Sequence, residues 1–244
     1  EAAMRAADVI KAEDVSPHER FDGVYWIRLQ DHSRRLATEN LARGYAVYGE
    51  ELVKLRRKEY RVWDAYRSKL AAAILKGIDE VPIAPGLRVL YLGAASGTTA
   101  SHVSDIVGRD GAVYCVEFAQ RTMRELIQNV CSQRPNMSPI LADARYPNTY
   151  RPLVSSVDVI YCDIAQPEQA RILADNADLF LKESGTAMIA VKSRSVDVTM
   201  TPASVFSQEK RTLMQRGFRV IATVRLEPYE RDHAMIVVTR EPSG

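Results

Sequence analysis

The chain of 244 residues has no apolar run approaching the roughly 20 residues that a bilayer span requires. No membrane partner is expected. It has three cysteines, Cys115, Cys131 and Cys162, and none stands in C-x-x-C spacing. An odd count without that spacing gives no disulfide framework, and no metal site is read from it. Cys115 and Cys162 sit inside apolar runs and read as small core residues, which fits a reducing, intracellular compartment. There is little net charge: 33 basic residues against 31 acidic ones leave +2. A protein gripping a polyanion alone through many phosphate contacts carries more. There is no internal repeat, no low-complexity segment and no Gly/Arg-rich tail. The first residues, EAAMRAADVIKAEDV, mix acids and bases without an apolar stretch, so no secretory signal is read there.

What is present is an ordinary globular composition, 46% hydrophobic and 26% charged, enough for one large domain with a small appendage. The first 60 residues contain short aromatic and β-branched runs, GVYWIRL (Gly23 to Leu29) and YAVYG (Tyr45 to Gly49). These suggest small strands and hairpins, hence a β-rich N-terminal lobe over 1–60. A helix is expected from Arg67 to Leu75, ended by Gly77. Beyond Pro85 the pattern alternates. RVLYLG, AVYCVEF, SPILAD, VDVIYCDI and GTAMIAVK read as buried strands, separated by helical stretches of about a dozen residues. That alternation predicts an α/β fold over 61–244 with a doubly wound, Rossmann-like sheet. RVIATVRL and HAMIVVTR, joined by EPYERD, read as an antiparallel closing pair.

In such sheets ligands bind at the carboxyl ends of the strands. The first strand ends in Gly93 and Ala94, and Gly97 follows with Thr98 and Thr99 at the helix start. The spacing is G-x-x-x-G rather than G-x-G-x-x-G, which suits an amino-acid tail better than a pyrophosphate and disfavours a nicotinamide-dependent oxidoreductase. The threonine hydroxyls and free helix N–H groups suit a carboxylate. The second strand ends in Glu117 and Phe118, 24 residues after Gly93, where an acid accepts from ribose hydroxyls. The third ends in Asp143 and Ala144, where a carboxylate accepts from an exocyclic amine. The fourth ends in Asp163, followed by Ile164, Ala165 and Gln166. Singly these are turns, caps and solvated acids. In this order they describe a pocket for S-adenosylmethionine.

LYLGAASGTT, VYCVEF, ILADAR, DIAQPEQA and MIAVKSRSVDVT resemble the motifs of the fibrillarin family, in the same order and spacing, from about Arg20 to Arg240. Two positions depart from the pattern: Ala100, where proline is usual, and Cys162 before the aspartate. The resemblance implies a seven-stranded methyltransferase sheet behind an N-terminal β-lobe. Its cofactor contacts fall on Thr98, Thr99, Glu117, Phe118, Asp143, Ala144, Asp163 and Gln166. The implied activity is ribose 2′-O-methylation of rRNA, and possibly tRNA, at sites chosen by box C/D guide RNAs. The implied partners are guide RNA and target rRNA, a scaffold protein and a kink-turn-binding protein. The missing Gly/Arg-rich tail matches the archaeal form, which implies a cytoplasmic location.

A ribose hydroxyl is a poor nucleophile, so the site must align it with the methyl group and help remove its proton. A lysine serves when burial or a neighbouring cation lowers its pKa. Asp163 and Lys192 end the fourth and fifth strands, Lys69 lies on the helix before the first, and His233 starts the last. The resemblance supplies the same four as a Lys-Asp-Lys-His group. The expected roles are Lys192 as base or main orienting group, Asp163 holding it and the cofactor, and Lys69 and His233 positioning the ribose. Alone, each lysine reads as a snorkelling side chain and the histidine as structural.

Lys54, Arg56, Arg57, Lys58, Arg61, Arg67 and Lys69, interleaved with Tyr60, Trp63 and Tyr66, suit phosphate contact and base stacking. Arg145 and Arg194 extend the patch. No RNA-reading module such as an RRM or zinc knuckle is present, so choice of target falls to a guide. A protein glutamine methyltransferase and a non-catalytic cofactor-binding subunit are the competing readings.

Overall fold

The computed structural model describes residues 12–241. The signal-free reading of the first residues falls mostly outside that range. The N-terminal part is a five-stranded antiparallel sheet of β1 (Ala12–Pro17), β2 (Val24–Leu29), β3 (Arg34–Glu39), β4 (Leu52–Leu55) and β5 (Lys58–Val62), in the order β1-β2-β3-β5-β4. The last of these crosses position 60, where the sequence suggested a break. Tight turns link the hairpins. Asp31 accepts from the Ser33 N–H at 2.9 Å beside a left-handed His32, and Arg56 takes the same conformation between β4 and β5.

The expected strand at 45–49 does not form. Gly44 and Gly49 both have positive φ, and the Val47 and Tyr48 N–H groups donate to the Glu50 carboxylate instead of a ladder. The aromatic there has another task. Tyr48 packs against His102 and lies under the Arg67 guanidinium.

The second part begins with α1 (Lys69–Leu75), whose N-cap Ser68 accepts from the Ala71 N–H. Then follow β6 (Arg88–Leu92), α2 (Thr98–Val107), β7 (Ala112–Glu117), α3 (Gln120–Asn129), β8 (Met137–Leu141), β9 (Val157–Cys162), α4 (Gln169–Phe180), β10 (Leu181–Lys192), a single turn α5 (Ser193–Val196), α6 (Pro202–Gln215), β11 (Phe218–Arg225) and β12 (His233–Arg240). The seven strands lie in the order β11-β12-β10-β9-β6-β7-β8. β6 to β10 are parallel, and β12 runs antiparallel to both its neighbours, as the closing pair predicted.

The inner strands read as unbroken apolar runs because both faces are covered, while the edge strands β8 and β11 are partly exposed. Along β6, Val89 and Tyr91 join the core under α1, α2 and α3, while Leu90 and Leu92 join the one under α4 and α6. Cys115 and Cys162 lie buried in these cores, as expected of small apolar residues.

A buried charge group lies between the two sheets, beside the apolar core that they share. Arg61 is fully buried, and its guanidinium donates to Glu50 (2.6 Å), Asp105 (2.8 Å) and Ser101 (2.8 Å). Arg134 reaches the other Asp105 oxygen at 2.5 Å. Arg61 therefore leaves the proposed RNA patch, where the run of basic residues had placed it. Its position on β5 turns it towards α2. Tyr60 and Trp63 are core residues as well.

The same junction holds His102, fully buried. The Thr38 hydroxyl gives its one proton to Asp105 (2.7 Å), so it accepts from His102 Nδ1 (2.7 Å) and leaves Nε2 to accept from the Tyr48 hydroxyl at 2.7 Å. Burial, then the Arg61 and Arg134 charges, push the imidazole well below its ordinary pKa. Below about pH 6.5 the unfolded chain binds a proton that the folded chain refuses, so stability falls with pH from there, by up to about 1.4 kcal/mol per unit. The stability lost between pH 7 and pH 5 in denaturant titrations is expected to shrink in His102→Gln. An unchanged pH dependence would remove His102 as its source.

Candidate active site

The carboxyl ends of β6, β7, β8 and β9 meet around one cleft. Gly93 leaves β6 with φ +83°, and its N–H donates to the Val116 carbonyl at 2.9 Å. A Cβ there would stand 2.2 Å from the Asp163 carbonyl oxygen, so the turn requires glycine. Gly93→Ala is expected to lower cofactor affinity at least tenfold and to cost about 1–2 kcal/mol of stability from the left-handed φ alone. Calorimetric titration and a denaturant melt read the two effects. Wild-type values in both would contradict the close packing of these strand ends.

Glu117 ends β7 with its carboxylate already oriented. It accepts from the Ala95 N–H (3.0 Å) on one oxygen and the Ala119 N–H (2.9 Å) on the other. The acid thus ties the β6 turn to the β7 turn, and its remaining lone pairs suit two vicinal hydroxyls. Phe118 beside it is 65% exposed, a bare aromatic face at the rim. Across the cleft Asp143 is gripped by Arg145, through Nε at 3.0 Å and Nη2 at 2.7 Å. The Arg145 hydrogen bonds hold its carboxyl below the ordinary range. Arg145 was expected to extend the RNA patch, but its position two residues after Asp143 turns it onto that carboxylate.

Ala142, Ala144, Val116 and Ile164 supply an apolar lining, and Ala165 and Gln166 complete the β9 side. An apolar slot with one carboxylate set for hydroxyls, another for an amine and an exposed ring fits a nucleoside. Ala94 is buried behind the turn. Thr98 starts α2, whose first N–H groups are free for a carboxylate. Thr99 behaves differently from the expectation. It is buried, and its hydroxyl donates to Ser68 Oγ at 2.9 Å, because the start of α2 packs on the start of α1.

The four catalytic candidates come to the same edge of the sheet as two pairs. Lys69 Nζ donates to both Asp163 oxygens at 2.8 Å. Lys192 and His233 are cross-strand partners where β10 meets β12. Asp163 was expected to hold Lys192, but Lys69 occupies both its oxygens. The Lys192 side chain makes no hydrogen bond or ion pair with the described residues, and it is exposed. His233 is buried, and its Nδ1 lies 2.7 Å from the Arg231 carbonyl, which fixes the proton there and turns Nε2 into an acceptor.

Two residues unnoticed in the sequence support these pairs. Gln169, buried at the start of α4, donates through Nε2 to the Ile164 carbonyl and accepts the Lys192 N–H at 3.3 Å through Oε1. Its carboxamide links the cofactor loop to the strand bearing Lys192. Ser68 caps α1 and takes the Thr99 hydroxyl, which fixes the helix that carries Lys69. A glutamine or serine at a helix start looks like an ordinary cap in sequence.

A family model described as fibrillarin matches residues 15–242. The fibrillarin-like rRNA/tRNA 2′-O-methyltransferase of Methanopyrus kandleri is 57% identical over 224 residues, covering 92% of this chain and 96% of that protein. Among solved structures, Aeropyrum pernix fibrillarin in complex with natively bound S-adenosyl-L-methionine is 52% identical with a TM-score of 0.89, covering 94% of this chain and all of that one. The crystal structure of a fibrillarin/Nop5p complex matches with 42% identity and a TM-score of 0.80, over 92% of this chain and all of that one. The chain belongs to the fibrillarin family.

Proposed function

We propose that this protein transfers a methyl group from S-adenosylmethionine to the 2′-hydroxyl of RNA, at rRNA and tRNA positions chosen by box C/D guide RNAs. One observation carries the reading: a nucleoside-shaped cleft and a Lys69–Asp163 pair share the strand-end Asp163, with Lys192 and His233 on the neighbouring strands of the same edge. When bound, S-adenosylmethionine supplies a sulfonium-activated methyl group whose departure leaves a neutral thioether. No acid is then needed, and the protein's work is alignment and proton removal. Glu117 holds ribose hydroxyls, Asp143 an exocyclic amine, and Thr98 with the α2 N-terminus a carboxylate. Asp163 fixes the Lys69 ammonium, which donates to the target ribose. Lys192, with no side-chain partner among the described residues, is left to turn to the 2′-hydroxyl as the base or main orienting group. His233 Nε2 accepts from a neighbouring hydroxyl.

The proposed partners follow from what the chain offers and lacks. A net charge of +2 and no RNA-reading module leave target choice to a guide RNA. A scaffold protein of the Nop5 kind and a kink-turn-binding protein would hold that guide. No helix among the described residues is long and apolar enough to cross a membrane. We place the protein in the cytoplasm, in keeping with its archaeal relatives.

The test is transfer of labelled methyl to a guide-complementary RNA in the reconstituted particle, with a 2′-deoxy sugar at the target as control. Transfer that vanishes with the deoxy sugar is the expected result. Labelling of protein in place of RNA would overturn the reading.

A further inference from the structure

Away from the cofactor cleft, a second cavity of about 400 Å³ opens between the N-terminal sheet and α1, within the size range of small-ligand sites. We infer that this cavity, walled by Tyr48, Trp63, Tyr66 and Tyr229 and rimmed by Arg35 and Arg67, binds an unstacked nucleotide of the RNA. The inference rests on RNA being the substrate.

Its outer walls, Tyr48, Tyr66 and Tyr229, are aromatic and partly exposed, and Trp63 is the buried residue at its back. Tyr66 is 65% exposed and meets Tyr229 edge to face at 5.0 Å, while Trp63 stacks on His102 at 4.7 Å behind them. The exposed Tyr66 ring is one on which any base can stack. The rim carries positive charge, with Arg35 near Asp31 and Arg67 donating to the Tyr48 carbonyl at 3.4 Å. Arg35 makes no hydrogen bond or ion pair with the described residues, and Arg67 lies over the Tyr48 ring with its charge unpaired. Arg34, also at the rim, is committed to Glu19 and Trp26 and adds nothing.

Glu50, Glu51 and Asp64 also line the cavity, and of these Glu51 and Asp64 have no ion pair with the described residues. Glu50 is neutralised by Arg61, and Asp64 accepts the Tyr66 N–H. Two buried polar atoms of residues in the wall have no hydrogen-bond partner among the described residues: the donor Trp63 Nε1 and the acceptor Glu51 Oε2.

Position ties the cavity to the reaction. Tyr66 and Arg67 directly precede Ser68 and Lys69, and Tyr229 lies four residues before His233. A nucleotide held here would fix the path of the strand whose ribose enters the catalytic edge.

Trp63 is one of only two tryptophans, so Trp26→Phe leaves it as the single reporter. Single-stranded hexaribonucleotides are titrated into that protein with S-adenosylmethionine present, and methyl transfer to RNA is measured in parallel. The expected result is saturable Trp63 quenching, weakened about tenfold by Tyr66→Ala. Arg67→Ala should flatten its salt dependence by about 0.7 in log–log slope. Cofactor affinity should stay unchanged in both variants, since neither residue borders the cleft. Silent Trp63, or quenching indifferent to Tyr66→Ala, overturns the proposal. Quenching by a partner-protein peptide and not by RNA does so too and gives the cavity to a protein. Intact transfer with silent Trp63 fails the cavity alone. Quenching without transfer to RNA fails the methylation reading alone.

Discussion

Asp163→Asn is expected to lower the single-turnover rate of methyl transfer at least about a hundredfold. Both Asp163 oxygens accept from Lys69 at 2.8 Å, and the same residue lines the cofactor cleft. An amide keeps the shape but loses the charge, and one of its two atoms becomes a donor facing another donor. Lys69 then swings away, and misplacement of a positioning group by about 1 Å costs on the order of a hundredfold. Lys192→Ala, which removes the proposed base or main orienting group, should cost about 10²–10⁴-fold. Stability does not confound the comparison. The Lys69–Asp163 pair is about a quarter exposed, at 23% and 24% of its side-chain area, and such pairs contribute only about 0–1 kcal/mol. Quench-flow rates at saturating cofactor, with melting curves alongside, separate the two quantities. Near wild-type turnover in Asp163→Asn would remove the pair from the catalytic assignment.

The sequence displayed the methyltransferase sheet well for a physical reason. Its inner strands are buried on both faces, so they read as unbroken apolar runs, and the ends of β6, β7, β8 and β9 carry the glycine and acids that line the cleft. Glu117 and Asp143, proposed to hold the nucleoside, could be picked out because ligands bind at strand ends in such sheets. What stayed hidden depends on side chains meeting across long stretches of chain. Lys69 and Asp163 are 94 residues apart, so no spacing rule indicates that Lys69 and not Lys192 takes both oxygens. The N-terminal lobe was read in outline only. Its strands are short and half polar, and at Tyr45 to Gly49 two left-handed glycines overrode the β-forming composition. Basic residues misled most. Arg61, Arg145 and Arg67 look alike in a list. One is buried against two acids, one locks a cofactor-site carboxylate, and one lies over the Tyr48 ring at a cavity rim.

Asp105→Ala is expected to cost about 3–5 kcal/mol, the range for stripping one partner from a buried ion group. The group contains Arg61, Arg134, Glu50 and Asp105, each with a side chain 0–1% exposed, so its formal charge sums to zero. Removing Asp105 leaves one positive charge uncompensated in the interior. It also strands the Leu41 N–H and the Thr38 hydroxyl, which donate to the same carboxylate. Because Thr38 and Leu41 belong to the N-terminal part and Asp105 to α2, the damage falls on the junction between the two sheets. For a chain of this size the loss corresponds to a fall of roughly 6–20 °C in Tm. Asp105→Asn keeps the shape and should fall nearly as far, since charge is the larger part of what is lost. Trp63, stacked on His102 in that junction, reports it directly in the Trp26→Phe background. Its fluorescence should change at lower denaturant than the far-UV signal of the methyltransferase sheet if the N-terminal part undocks first. Loss of less than about 1 kcal/mol in both variants would mean that apolar packing, not this buried charge group, holds the two sheets together.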